Sequence, residues 1–262
     1  MIVRSKWTEK SRLSVFCGED SYGTLVMSSP NRLQYKTEQV HMPTAQHDPD
    51  RPIRLYTTRL SGHGHRVQLF LELLGLRYET TIVDMSSGEN RLPEFLAKNP
   101  FGQVPVIEDG DLVLFDSNAI LVYLAKRYGD ESWLPGDPKG AAAVQRWLSL
   151  AAGQIAYGPC AARLVTVFGA KLDWETAKAI AIKLFDVIET EMASKPYAIG
   201  ERRTIADIAA YSYIAHAPEG GVSLEPYPNL RAWLRRIEAL PGFVALPSTN
   251  AGLLADTSPR LS

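Results

Sequence analysis

Asn99-Pro100-Phe101-Gly102-Gln103-Val104-Pro105-Val106-Ile107, followed by Asp109-Gly110 and Asp116-Ser117, is the stretch on which the fold turns. A loop feeds a strand at a Val-Pro bond. The Asp-Gly pair makes a tight hairpin turn. The return strand runs into an acidic-hydroxyl pair that opens a helix. Such a layout suits a small peptide: main-chain groups beside the proline meet its backbone, and N–H groups at the helix start bind its charged end.

Upstream, Ile53–Thr57 is short, apolar and β-rich and reads as a strand. Ser61-Gly62-His63-Gly64 reads as a turn. Arg66–Leu74 keeps Val67, Phe70, Leu71 and Leu74 on one helical face, with Gly75 placed to stop it. Tyr78–Val83 predicts a second strand and Pro93–Lys98 a short helical turn. Val104–Glu108 and Leu112–Phe115 flank the Asp-Gly turn, and Ser117–Tyr128 predicts a helix. This order is a small α/β layer over residues 52–130 with a mixed sheet.

Downstream, Gly129, Pro135, Gly136 and Pro138 suit a linker, and residues 138–247 are helical almost throughout. Ala141–Leu150 opens a helix that continues in broken form past Gly153, Gly158 and Pro159 to Val167. Trp174–Met192, Ile205–His216 and Leu230–Leu240 follow. Thr204-Ile205-Ala206-Asp207 resembles a capping box, which assigns Asp207 to folding rather than catalysis. Residues 248–262 read as an irregular tail. Residues 1–51 lack a sustained period and read as a disordered or added extension, with short strands conceivable at Leu13–Phe16 and Thr24–Met27 and Met42 as an alternative start.

The 262 residues are 45% apolar and 22% charged, with a net charge of −1, so no basic excess argues for nucleic acid or an acidic membrane surface. Two cysteines, Cys17 and Cys160, make no disulfide framework, and a reducing cytoplasm fits best. No apolar run reaches the ~20 residues that span a bilayer, and the start lacks a signal-peptide core. Of the histidines, only His63 and His65 lie close together, without a carboxylate or cysteine beside them, so no metal is expected.

Taken in order, Ser61 before Arg66, Asn99 to Pro105, Asp116-Ser117-Asn118-Ala119-Ile120 and Thr204 to Asp207 resemble the cytosolic glutathione transferase superfamily, of the bacterial, serine-type kind. The resemblance covers about residues 52–247. It implies a thioredoxin-like α/β domain followed by an all-α helical domain, usually paired as a homodimer, with Phe101 as an interface key or a core residue. It also implies glutathione as co-substrate and no permanently bound cofactor.

Glutathione has two carboxylates, an ammonium and a thiol. By the resemblance, Val104 holds its cysteinyl main chain beside a cis proline, Asp116 and Ser117 take the γ-glutamyl end, and Arg91, Asn90 and Gln103 serve the glycyl carboxylate. Ser61 is the expected catalytic residue. An unperturbed thiol titrates near ~8.5, and a donated hydroxyl together with a helix N-terminus would lower that. Tyr157, Cys160 and Arg163 fall where the second substrate is expected. The resulting expectation is conjugation of the glutathione thiolate to a small, apolar electrophile. Glutathione-dependent disulfide reduction, isomerisation or dehalogenation, and a non-catalytic binding role, are the alternatives.

Overall fold

The computed structural model describes residues 51–257 and, ahead of them, three strands. The chain divides into two units between Asp48 and Pro49. In the first, β1 (Leu13–Phe16), β2 (Tyr22–Met27) and β3 (Leu33–Glu38) form an antiparallel meander, with Leu13 opposite Leu25 and Tyr22 opposite Glu38. Strand β3 was not anticipated, because Gln34, Lys36 and Glu38 leave no apolar run to read. Cys17, His41, Met42 and His47 lie outside the described residues.

The second unit opens with β4 (Ile53–Thr57), α1 (Gly62–Leu73), β5 (Tyr78–Ile82), α2 (Pro93–Leu96), β6 (Val106–Asp109), β7 (Leu112–Phe115) and α3 (Ser117–Tyr128). Its sheet runs β5-β4-β6-β7, with β4 parallel to β5 and the other pairs antiparallel. The period of two sorts residues between the faces. Ile53, Leu55 and Ile107 enter the main core with α1 and α3. Val106 joins Val83 and Phe95 in a smaller cluster, with Tyr56 packed against it. Tyr123 and Tyr128 both donate to Asp109 Oδ2, at 2.7 and 2.5 Å, tying α3 to the hairpin.

Helix α1 begins at Gly62, not Arg66, so the expected turn at Ser61–Gly64 is the cap and first turn of the helix. Ser61 is the N-cap and its Oγ accepts the Gly64 N–H at 3.0 Å. The glycines that read as turn residues are required by packing. A Cβ on Gly62 would lie 2.7 Å from the Tyr213 ring, and one on Gly64 only 1.8 Å from Thr57 Oγ1. Gly75, at φ +65°, follows the end of the helix as expected.

The helical half contains α4 (Pro138–Ala152), α5 (Ala161–Phe168), α6 (Trp174–Met192), α7 (Ile205–Ala215) and α8 (Pro228–Glu238). Between α4 and α5 the chain makes a π-helical turn, Ala156–Cys160, at Gly158-Pro159. A Cβ on Gly158 would approach the Ala181 backbone nitrogen to 3.0 Å, so the glycine lets α6 come close. Helix α7 is buried on every side from Ile205 to Ile214 and packs on α1, α3 and α4, making one continuous core. Thr204 and Asp207 form the expected capping box. The tail is more regular than expected: Gly252–Thr257 forms 3-10 turns, while residues 258–262 lie outside the described residues.

His65 joins α1 to this core. It is 3% exposed; its Nε2–H donates to the Val244 carbonyl and its Nδ1 accepts from the Ser212 hydroxyl, both at 2.9 Å. Burial pulls its pKa from 6.5 down to about 4, with the Val244 carbonyl opposing and His216 and Arg66 adding to the fall. The unfolded chain binds this proton first, so the stability is complete above pH 6.5 and is lost as pH falls toward 4. The loss is on the order of 3 kcal/mol. Urea unfolding at pH 7 and pH 4.5 is expected to show it, and His65→Asn should flatten the difference.

Candidate active site

The loop before β6 and the β7–α3 junction face one cleft of 270 Å³. The loop contributes Asn99, Phe101, Gln103, Val104 and Pro105, the junction Phe115, Asp116 and Ser117, and α1 contributes His63. The Val104–Pro105 bond is cis. Asn99, 2% exposed, fixes the loop: its Nδ2 donates to the Gln103 carbonyl at 2.8 Å and its Oδ1 accepts the Phe101 N–H at 3.0 Å.

Asp116 has φ 69° and is the only non-glycine residue with positive φ among the described residues. Such a conformation costs about 1–3 kcal/mol. Its Oδ1 caps α3, accepting the N–H groups of Asn118 and Ala119 at 3.0 and 2.9 Å. The strained cap turns the start of α3 toward the cleft, where Ser117 and Asp116 both line it.

Beneath Ser117 sits Arg66, 1% exposed. Its Nη1 donates to Ser117 Oγ at 3.1 Å and to Asn118 Oδ1 at 2.9 Å. Its Nε and Nη2 have no hydrogen-bond partner among the described residues. Among the described residues no carboxylate lies within ion-pair distance of it; the Tyr213 ring stands 6.0 Å from the guanidinium carbon. Burial pulls its pKa down, against the attraction of Tyr213, Cys160 and Asp116, yet a guanidinium stays charged at neutral pH. Arg66 therefore sets a buried positive charge beneath the cleft, which the Asp116 carboxylate also lines, and Ser117, already accepting from Arg66, has its own proton to give. In this structure the nearest taker is His63 Nδ1, at 3.4 Å. That imidazole is neutral: burial and then the Arg66 charge pull its pKa to about 3, and its ring packs edge-on against Tyr213 at 4.9 Å.

Two family models match the chain: the glutathione S-transferase N-terminal domain over residues 51–126 and the C-terminal domain over residues 170–241. A probable glutathione S-transferase of Oryza sativa subsp. japonica is 34% identical over 202 residues, covering 72% of this chain and 93% of the relative. The chain belongs to the glutathione S-transferase family. Glutathione S-transferase 3 of Zea mays is likewise 34% identical, over 73% of this chain and 91% of its own. Among solved structures, a Pseudomonas fluorescens glutathione S-transferase matches with a TM-score of 0.72 at 33% identity, covering 76% of this chain and all of that one. A glutathione transferase homologue of Drosophila mojavensis, crystallised with bound glutathione, matches with a TM-score of 0.67 at 31% identity, covering 72% and 89%.

Within this transferase, the structure gathers four of the residues anticipated from sequence, Gln103, Val104, Asp116 and Ser117, around the cleft. Ser61 does not line it; it sits two residues before His63, which does, with its Oγ at the mouth of α1. Asn90 and Arg91 are not brought in. Asn90 is 8% exposed and its Nδ2 donates to the Gly102 carbonyl at 2.7 Å, so its amide bolts the loop in place, while Arg91, at the end of the same 3-10 turn, is exposed. The expected second-substrate trio also separates. Tyr157 is 68% exposed, whereas Cys160 and Arg163 are core residues at 4% and 1%. Sequence reasoning missed Arg66 and Asn99 as site residues. Arg66 carried a signal, since a cation sat beside the Val67 face of an apolar helix, where charge is rarely buried without purpose.

Proposed function

We propose that this glutathione transferase binds glutathione in the cleft and conjugates its thiolate to small, apolar electrophiles. The observation that supports this reading most is the buried Arg66, which among the described residues has no carboxylate partner and is joined to Ser117 at the cleft. A buried charge of this kind is costly unless an anion meets it. The γ-glutamyl α-carboxylate is that anion: Ser117 donates its hydroxyl proton to it, the Ser117 N–H at the start of α3 supports it, and His63 is released as the acceptor. Asp116 faces the ammonium. The cysteinyl main chain meets Val104, and Gln103 serves the glycyl end in place of the more distant Asn90 and Arg91.

This places the thiol toward α1. Ser61 Oγ accepts from Gly64, which leaves the hydroxyl proton for the sulfur. The helix N-terminus and the Arg66 charge favour the thiolate in the same direction. The thiol proton leaves to solvent. The thiolate then forms a carbon–sulfur bond, and the electrophile either expels a leaving group with its electron pair or takes up a proton after addition. The turn from Ser61 to Arg66 holds no cysteine, so the chain has no thiol there to form a mixed disulfide with glutathione. We further read the active form as a cytoplasmic homodimer. Phe101, 74% exposed and edge-on to Phe115 at 6.1 Å, is the side chain offered to the partner.

Calorimetric titration tests the binding claim. Wild type is expected to bind glutathione with a submillimolar Kd. Ser117→Ala removes one charge-assisted hydrogen bond and should weaken binding about ten- to hundredfold. Binding weaker than millimolar in the wild type would reject the reading.

A further inference from the structure

The peptide unit that precedes Ser61 is gripped at both ends. The Ser61 N–H donates to the Thr58 carbonyl at 3.2 Å, within the turn itself. The Leu60 carbonyl accepts from Arg163 Nη1 at 2.9 Å, across 103 positions of sequence. Arg163 belongs to α5 in the helical half and is 1% exposed. Its Nε donates to Glu219 Oε2 at 2.6 Å, and Glu219 is itself 1% exposed.

Glu219 is fixed in turn. Its Oε1 accepts from His216 Nδ1 at 3.0 Å and from the Thr249 N–H at 2.8 Å. Burial alone would raise its pKa; these two donors together with Arg163 outweigh it and hold the carboxyl below its usual range. The backbone around it is closed as well. Thr166 Oγ1 donates to the Glu219 carbonyl at 2.6 Å, and a Cβ on Gly252 would lie 2.4 Å from that same oxygen. Glu219 thus sits in a socket built from α5, the turn after α7 and the tail, and it has one task for Arg163: to hold the guanidinium in a single orientation.

A buried ion pair of this kind is weak grounds for stability, because desolvation offsets much of the attraction. Its geometry is specific. One nitrogen of the fork is spent on the carboxylate and a second on the one carbonyl whose peptide plane sets the direction of the Ser61 Cα–Cβ bond. A lysine, shorter and with all its donors on one freely rotating nitrogen, does not reproduce the two rigidly spaced donors of this fork.

We infer that Arg163, held by Glu219, is a positioning residue for the reaction: it aims the Ser61 hydroxyl by fixing the Leu60–Ser61 peptide from the helical half of the molecule. This inference rests on Ser61 as the donor to the thiolate.

The test reads the pKa of glutathione's thiol bound to the protein, by ultraviolet absorbance of the thiolate against pH, together with kcat and the glutathione Kd. Arg163→Lys is expected to raise the bound thiol pKa by about one unit. It should lower kcat about tenfold or more at pH 6.5, with Kd within about twofold of wild type, because none of the cleft residues is touched. Ser61→Ala and the double variant Ser61→Ala/Arg163→Lys run in parallel. If Arg163 acts through Ser61, the lysine adds nothing further in the alanine background. A thiol pKa unchanged in Arg163→Lys but raised in Ser61→Ala would overturn the positioning role and leave Ser61 standing. A thiol pKa unchanged in Ser61→Ala would instead remove the reading on which the inference rests. Should Arg163→Lys not fold, Arg163→Met/Glu219→Met empties the socket of charge together and carries the same test, with the same expected rise in thiol pKa.

Discussion

Removing the Ser61 hydroxyl is expected to lower kcat/KM about ten- to hundredfold at pH 6.5, with the deficit shrinking toward pH 9. The thiol of free glutathione titrates near ~8.5, so an enzyme working near neutrality gains about tenfold in thiolate for each unit by which it lowers that value. In the proposed arrangement Ser61 does so, with its oxygen anchored to the Gly64 N–H and its proton given to the sulfur. Loss of the hydroxyl raises the bound thiol pKa by about one to two units, and high pH restores the thiolate that the variant cannot. The side chain is also the N-cap of α1, whose loss to alanine costs about 1 kcal/mol. Ser61→Gly separates the two effects, because glycine at an N-cap costs only about a few tenths of a kcal/mol. Rate profiles against pH for Ser61→Ala and Ser61→Gly should therefore fall together while their unfolding midpoints differ. Equal rates in wild type and both variants would remove Ser61 from the chemistry.

The largest effect on stability is expected at Asp207, far from any substrate. The residue is fully buried and accepts three N–H groups, from Ala198, Thr204 and the Trp233 indole, each at 2.8 Å. These bonds close the start of α7, the helix on which α1, α3 and α4 all pack. Asp207→Ala leaves all three donors without a partner in the core, and should destabilise the fold by about 3–5 kcal/mol, against a total of about 5–15 kcal/mol for a domain. Asp207→Asn keeps the shape and one oxygen and should cost less than half as much. Urea unfolding of the two variants checks both the size and the order.

The capping box itself was legible in the sequence, because a threonine and an acidic residue three positions apart form a local device whose partners are near in the chain. The same holds for the Asp109-Gly110 hairpin, the Trp174–Met192 helix and the Asp116-Ser117 helix start. The misreadings have a common cause: they concern groups whose partners are far away. Gly62 and Gly64 look like turn residues locally, and only Tyr213 and Thr57 explain why a helix needs them. Asn90 offers an amide suited to a carboxylate, and only the Gly102 carbonyl, 12 positions on, shows where it is spent. Arg163 reads as a pocket cation until Glu219 and the Leu60 carbonyl are seen around it. The cleft was half legible for this reason. The main-chain and helix-start features on one side of it are local, while the Arg66 charge beneath Ser117 depends on a contact across 51 positions.

The most direct measurement is a crystal structure of the protein grown with glutathione. The account predicts the γ-glutamyl carboxylate on Ser117 above Arg66, the cysteinyl main chain against Val104, and the sulfur within hydrogen-bond reach of Ser61 Oγ. A tripeptide bound elsewhere, or a sulfur turned to bulk solvent away from the start of α1, would contradict it.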